Sequence, residues 1–274
     1  MSTSNNSWRL LLSDAADGAT NMSVDEAILE SVMNRESPPT LRLYRWDPPA
    51  LSLGYAQPAA DADLEVLQAR GWDLVRRPTG GRAILHTDEL TYALIAPADN
   101  RHVAGGVLAS YQHLSHGLRR ALQLIGLDVD VRSGESVSAI ERSNPVCFEV
   151  PSAYELMVAG KKVIGSAQLR RRGGVLQHGT FPLTGDIGRI CDALRFSDSS
   201  ARSNARTRVS TRAATASELV EREIGWDEAA SVFRRGFEDG LGIRFVPTDL
   251  TNEERRLAQE LVERHRSESW VFRL

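Results

Sequence analysis

Two lysines, Lys161 and Lys162, stand side by side in a chain whose other 31 basic side chains are all arginine. They fall in Gly160-Lys161-Lys162-Val163-Ile164-Gly165-Ser166-Ala167-Gln168, where a turn delivers them into a strand that ends in small residues. Successive side chains of a strand point to opposite faces, so one lysine can be solvated while the other faces a pocket. A desolvated lysine can take up and give up a proton near neutral pH, which an arginine cannot. A lysine kept in so arginine-rich a chain therefore suggests proton transfer, with chance survival of two lysines as the alternative. A second stretch, Pro145-Val146-Cys147-Phe148-Glu149-Val150-Pro151-Ser152, sets a cysteine in a loop between prolines. The thiolate is the nucleophilic form of cysteine and a neighbouring cation favours it; otherwise a lone cysteine is a small buried apolar residue. The third stretch is Arg76-Arg77-Pro78-Thr79-Gly80-Gly81-Arg82-Ala83-Ile84-Leu85-His86. Its paired glycines let backbone approach a ligand closely, and their amides can hold an anion. A tight turn with solvated arginines is the plainer reading, and no GK[ST] follows to make a Walker loop.

The elements that must position these residues read as a mixture of helix and strand. Trp8–Leu12, Leu41–Trp46, Ala50–Leu53, Leu74-Val75, Ala83–Leu85, Leu90–Ile95, Leu127–Val131, Glu155–Val158, Lys162–Ile164 and Val175–Gln177 have strand character. Ser23-Val24-Asp25-Glu26 has the spacing of a capping box ahead of Ala27, Ile28 and Val32. Ala60–Ala69 fits a short helix closed by Gly71. Gly106–Ile125 is the clearest helix, with Val107, Leu108, Tyr111, Leu114, Leu118, Ala121, Leu122 and Ile125 on one face. Thr215-x-x-Glu218 and Thr251-x-x-Glu254 are capping boxes, and Trp226–Gly240 is a further helical pattern. Ser197–Arg212, rich in Ser and Arg, reads as a solvated loop or a contact for an acidic macromolecule. Strands with helices around and after them make an α+β domain with a mixed sheet and a helical tail.

Composition narrows the function. The formal net charge of −3 gives no global attraction to nucleic acid or membrane. Two cysteines without CxxC spacing make neither a disulfide framework nor a zinc site and point to a reducing, cytoplasmic setting. His113 and His116 are spaced for one helix face, but no ligand set surrounds them, so they read as surface residues rather than a metal site. Cys191 reads as buried on a helix. No apolar run reaches membrane-spanning length, and the polar start is no signal peptide.

Six segments in order resemble the biotin/lipoate protein ligase superfamily. They are Asn21–Glu26, Ser52-Leu53-Gly54-Tyr55-Ala56-Gln57, the Arg76–His86 block, Glu89-Leu90-Thr91-Tyr92, Lys162–Gln168 and Leu176-Gln177-His178-Gly179. Within it the chain is most similar to octanoyltransferases of the LipM type, through Cys147-Phe148, Pro151-Ser152 and Tyr154-Glu155-Leu156. Two departures stand out: Thr87 follows His86 where the family often has Asp, and Arg82 takes the place of the third glycine usual in the ligases.

The resemblance implies an α+β catalytic domain like that of class II aminoacyl-tRNA and biotin synthetases, with a mixed sheet flanked by helices. The expected organisation is a single catalytic domain over 1–274, with its core at about 35–245 and a C-terminal helix at about 251–269. The implied activity moves an octanoyl group from octanoyl-acyl carrier protein to a lysine of a lipoyl-accepting protein, such as glycine cleavage protein H, in lipoate biosynthesis. Cys147 would carry the acyl group as a thioester, and Lys162 would favour its thiolate and shuttle protons. Arg76, Arg77, Thr79, Gly80, Gly81, His86, Gly165, Ser166 and Ala167 would bind substrate. Neither ATP, metal nor other cofactor is implied. The alternatives are an ATP-dependent lipoate ligase, a LipL-type octanoyl amidotransferase, and a non-catalytic module that binds acyl-proteins.

Overall fold

The computed structural model describes residues 6–133, 154–171 and 173–274, so Cys147 and Arg172 lie outside the described residues. Strand β1 (Ser7–Leu12) leads to helix α1 (Gly18–Met33), which is capped by Asp17 accepting from the Thr20 amide. The helix thus begins ahead of the expected Ser23 box. Ser23 instead donates back to the Ala19 carbonyl at 2.7 Å, and Asp25 and Glu26 are buried within the helix as partners for cations. Next come β2 (Thr40–Tyr44), β3 (Ala50–Leu53), a 3-10 turn at Ala59–Asp61, and α2 (Leu64–Arg70), which Gly71 closes in the left-handed region at φ 63°. Strands β4 (Asp73–Arg76), β5 (Ile84–His86) and β6 (Glu89–Pro97) precede α3 (Val107–Ile125). Val107 and Leu108, placed by period on the apolar face, are 55% and 47% exposed, because α3 engages the core only from its second turn.

Strands β7 (Asp130–Ser133), β8 (Tyr154–Val158) and β9 (Lys161–Lys162) follow, then β10 (Gly165–Arg171) and β11 (Gly174–Pro182). The lysine segment is therefore two strands rather than one. β9 pairs with β8 in a small antiparallel sheet, Val163 and Ile164 turn into the core, and β10 starts the edge of the main sheet. After a 3-10 turn (Ile187–Asp192) come α4 (Ser199–Arg212), α5 (Ala216–Val220), α6 (Trp226–Leu241), β12 (Arg244–Pro247), α7 (Asn252–Arg266) and α8 (Glu268–Val271). The Ser/Arg stretch is thus helix α4 and not a loop. Asp198 caps it, Ala205 and Val209 bury its inner side, and Arg206 pairs with Asp186 and Asp192. Both threonine capping boxes, at α5 and α7, form as expected.

The main sheet has the order β10-β11-β6-β2-β1-β12, parallel at β2-β1-β12 and antiparallel elsewhere. Alternation along β6 sends Tyr92 and Leu94 into one core with α3 and α6, and Ala93 and Ile95 into another beneath α1. Each large apolar side chain so buried contributes roughly 1.5–3 kcal/mol. The close approach of α3 and α6 depends on Gly236, where a Cβ would stand 2.5 Å from the Ala121 nitrogen. A second, three-stranded sheet, β4-β3-β5, has its own apolar cluster with Cys191 and Val209. The expected α+β architecture, a mixed sheet flanked by helices with a helical tail, is the one observed. No helix among the described residues is long and apolar enough to cross a membrane.

Candidate active site

Where β6, β10 and β11 face the β4-β3-β5 sheet and α1, a cleft opens whose empty space, counted together with the solvent at its open mouth, is about 380 Å³. Met22, Tyr44, Trp46 and Ile84 give it an apolar interior, and Gly165, Ala167 and Gly179 keep its walls low. The polar groups at its surface are few: Arg77, His86, Thr91, Ser166, His178 and Thr180. Such a space accepts an alkyl chain and orients a polar head.

Two buried histidines flank the cavity, each held between a carboxylate and a hydroxyl. His178 Nδ1 lies 3.3 Å from Asp25 Oδ2, and its Nε2 lies 2.6 Å from Thr79 Oγ1. An ionised carboxylate only accepts, so Nδ1 carries the proton and Thr79 donates to Nε2. Burial is the main influence on His178 and lowers its pKa; Asp25 pulls the other way without prevailing, so the ring is neutral. Burial would raise the Asp25 carboxyl, but Arg42 and His178 outweigh it and hold it below the usual range. Arg42 donates to Asp25 Oδ1 at 2.8 Å and Tyr44 to Oδ2 at 3.0 Å.

His86 repeats the pattern: Nδ1 is 2.7 Å from Glu89 Oε1 and Nε2 is 2.6 Å from Ser52 Oγ. Arg77 donates to the Ser52 hydroxyl at 2.6 Å, and that hydroxyl also lies 3.4 Å from the Ile84 carbonyl. Trp46 stacks on the imidazole with ring centroids 4.0 Å apart and donates to Thr91 Oγ1. Both nitrogens of both rings are thus engaged, and the two histidines act as fixed walls of the cavity.

The glycine turn between β4 and β5 is shaped from within. Arg77 donates to the carbonyls of Ser52, Gly80 and Arg82, and Gly54 packs so closely that a Cβ on it would lie 2.0 Å from the Gly81 oxygen. Of the residues expected to bind substrate, Arg77, Gly81, His86, Gly165, Ser166 and Ala167 line the cavity. In the same turn Thr79 is buried behind the lining and Gly80 is exposed. Arg76 is fully buried and turned away from it, donating to carbonyls of residues 54–57 and 270–271. Lys162 is 7% exposed while Lys161 is half-buried, and the two side chains leave β9 on opposite sides. Asp88, the first acid after His86, pairs with Arg189 at the surface. His113 and His116 are exposed on α3, and His113 Nε2 lies 3.0 Å from Nδ1 of the buried His102, whose pKa burial lowers to about 4.

Sequence reasoning did not assign roles to Met22, Asp25, Trp46 or His178. The only signal was that Met22, Asp25 and His178 sit in two of the six matched segments; the pairing of Asp25 with His178 across 153 positions depends on sheet register.

The mixed sheet, with helices on both faces, thus sets a glycine turn over an apolar cleft and leads the lysine strand into the wall of that cleft. Residues 17–238 match the lipoyl protein ligase A/B catalytic domain, and the chain belongs to that family. It is 40% identical over 272 residues to the octanoyltransferase LipM of Kyrpidia tusciae, covering 97% of this chain and 98% of that one. Identity to the octanoyltransferase LipM of Brevibacillus brevis is also 40%, over 97% and 99% of the two chains. Among solved structures it is similar to the archaeal bipartite lipoate protein ligase of Thermoplasma acidophilum (TM-score 0.81, 26% identity, 97% and 96% covered). It is also similar to a lipoate-protein ligase A bound with ATP (TM-score 0.79, 28% identity, 97% and 98% covered).

Proposed function

We propose that the chain is an octanoyltransferase of lipoate biosynthesis that works through a cysteine thioester, with octanoyl-acyl carrier protein as donor and a lipoyl-accepting protein, such as glycine cleavage protein H, as acceptor. The observation that carries this reading is the near-full-length 40% identity to octanoyltransferases. The buried Lys162 ahead of the cavity wall supports it.

In the first half-reaction the Cys147 thiolate attacks the octanoyl thioester carbon, a C–S bond forms, and the donor's thiolate leaves and is protonated. In the second, the neutral amine of the acceptor lysine attacks the Cys147 thioester; an amide forms, Cys147 leaves as thiolate, and Lys162 relays the amine proton. Thioester to amide runs downhill, so no nucleotide enters the balance. The apolar cavity receives the octanoyl chain, and Arg77 shapes the turn over its mouth.

The test is incubation with octanoyl-acyl carrier protein without ATP, followed by mass spectrometry. An octanoyl increment that survives Cys191→Ser, vanishes in Cys147→Ser and passes to glycine cleavage protein H supports the proposal. Product formed only with ATP and free lipoate makes the chain a ligase instead, and octanoyl transfer out of glycine cleavage protein H makes it an amidotransferase.

A further inference from the structure

We propose that Arg76 is a positioning residue through which the segment 267–274 sets the shape of the glycine turn over the cavity. Arg76 is fully buried in β4, and its surroundings are unusual for a buried cation. Among the described residues its guanidinium donates only to carbonyl oxygens. On one side these are Val271 at 2.7 and 3.0 Å and Trp270 at 3.2 Å, the free carbonyls at the end of α8. On the other they are Gln57 at 2.6 Å, Gly54 at 2.8 Å and Tyr55 at 3.3 Å. One planar fork thereby joins the end of α8 to the 54–57 loop, an arrangement that a lysine ammonium with three donors cannot reproduce.

Segment 267–274 is fastened around this point. The Trp270 indole donates to the Arg76 carbonyl at 3.0 Å, the Ala59 amide donates to the Leu274 carbonyl at 3.0 Å, and the Arg273 guanidinium lies 4.0 Å over the Tyr55 ring. The 54–57 loop in turn bears on the site. The Tyr55 amide donates to the Thr79 carbonyl at 2.8 Å, and Gly54 lies directly against the Gly81 carbonyl. Thr79 holds His178 and Gly81 lines the cavity. A continuous path of contacts therefore runs from Val271 through Arg76 and Gly54 to the cavity mouth, with Arg76 itself outside the lining.

The activity arm of the test rests on the octanoyltransferase reading; the exchange arm does not. Arg76→Lys, Trp270→Phe, Trp270→Ala and the Arg76→Lys/Trp270→Ala pair are compared with wild type by hydrogen-exchange mass spectrometry and by octanoyl transfer. Arg76→Lys and Trp270→Ala are expected to speed exchange in peptides spanning 54–57 and 77–82, with β2 and β6 unchanged. Each is expected to lower kcat about tenfold or more with a smaller change in donor KM, because a displaced turn misplaces bound substrate. The pair is expected to lose no more than the worse single change, since both cut one path. Trp270→Phe, which removes one hydrogen bond and keeps the ring, should fall between wild type and Trp270→Ala. Unchanged exchange at 54–57, exchange raised throughout the chain, or losses that multiply would each overturn the proposal. Wild-type protein that transfers no octanoyl group while the exchange pattern holds would count against the assigned reaction and leave the positioning role standing.

Discussion

Lys161 and Lys162 are adjacent and chemically identical, and the pleat of β9 makes them unequal. Lys162 enters the interior at 7% exposed, whereas Lys161 keeps contact with water. That the two differ was legible in the sequence, because alternation along a strand and the scarcity of lysine are local facts; the choice of Lys162 came from the family resemblance. If Lys162 moves a proton, Lys162→Arg keeps a charge that cannot be released, and steady-state octanoyl transfer is expected to fall about 100-fold or more. Lys161→Arg should stay within about twofold. Equal tolerance of the two changes would remove Lys162 from the mechanism. The pairing of His178 with Asp25 was not legible, because nothing in either segment says which strand lies opposite α1. The buried Arg42 also needs Asp25, so Asp25→Asn is expected to cost about 3–5 kcal/mol in urea unfolding by leaving that guanidinium without its counter-charge.

Helix α1 shows how an element's ends and its middle follow different rules. The capping boxes at Thr215 and Thr251 were readable because a cap is made within four residues. Ser23-x-x-Glu26 has the same spacing inside a helix, where tertiary partners claim its acids. Glu26 is gripped by Arg264 and approached by His265 Nε2 at 3.2 Å, both from the end of α7, and by Arg171 from β10 at 3.1 Å. Helix α4 was missed for a related reason: its two buried residues, Ala205 and Val209, are too few to give an apolar period, and its Asp198 cap lies in a run of serines.

Burial works to raise the Glu26 pKa, but the hydrogen bonds from His265 and Arg264 prevail and bring it from 4.5 to about 2. A carboxyl depressed on folding stabilises the protein above its unfolded pKa, and that contribution disappears as pH falls through the folded value. The shift corresponds to roughly 3 kcal/mol at neutral pH. Glu26→Gln should therefore be less stable than wild type by about that amount at pH 7, with the gap closing between pH ~4.5 and ~2. Urea titrations at several pH values measure it; a gap that does not change with pH would mean that packing, not the ion pairs, holds α7 to α1.

At the scale of the molecule, the cavity belongs to no single element. Its floor comes from α1 and β2, its walls from β10 and β11 of the main sheet, and its mouth from the turn between β4 and β5 of the second sheet. That is why the fold was legible from the order of six segments while the volume was not: volume depends on how two sheets and a helix pack. The size of the site should appear in the choice of acyl chain. Met22, Tyr44, Trp46 and Ile84 offer apolar surface to every methylene that enters, and each methylene taken from water contributes roughly 0.8 kcal/mol. A hexanoyl donor lacks two of them, so it loses about 1.6 kcal/mol, or about 15-fold in kcat/KM against octanoyl. Competition between hexanoyl- and octanoyl-acyl carrier protein for one enzyme, read by the mass of the acylated acceptor, measures that ratio directly. Filling the floor reverses the preference: Met22→Trp takes up the space of the distal methylenes, so octanoyl transfer should fall while hexanoyl transfer is largely kept. A ratio near one in wild type, or octanoyl and hexanoyl transfer reduced alike by Met22→Trp, would mean that the chain lies elsewhere and that this cavity does not measure it.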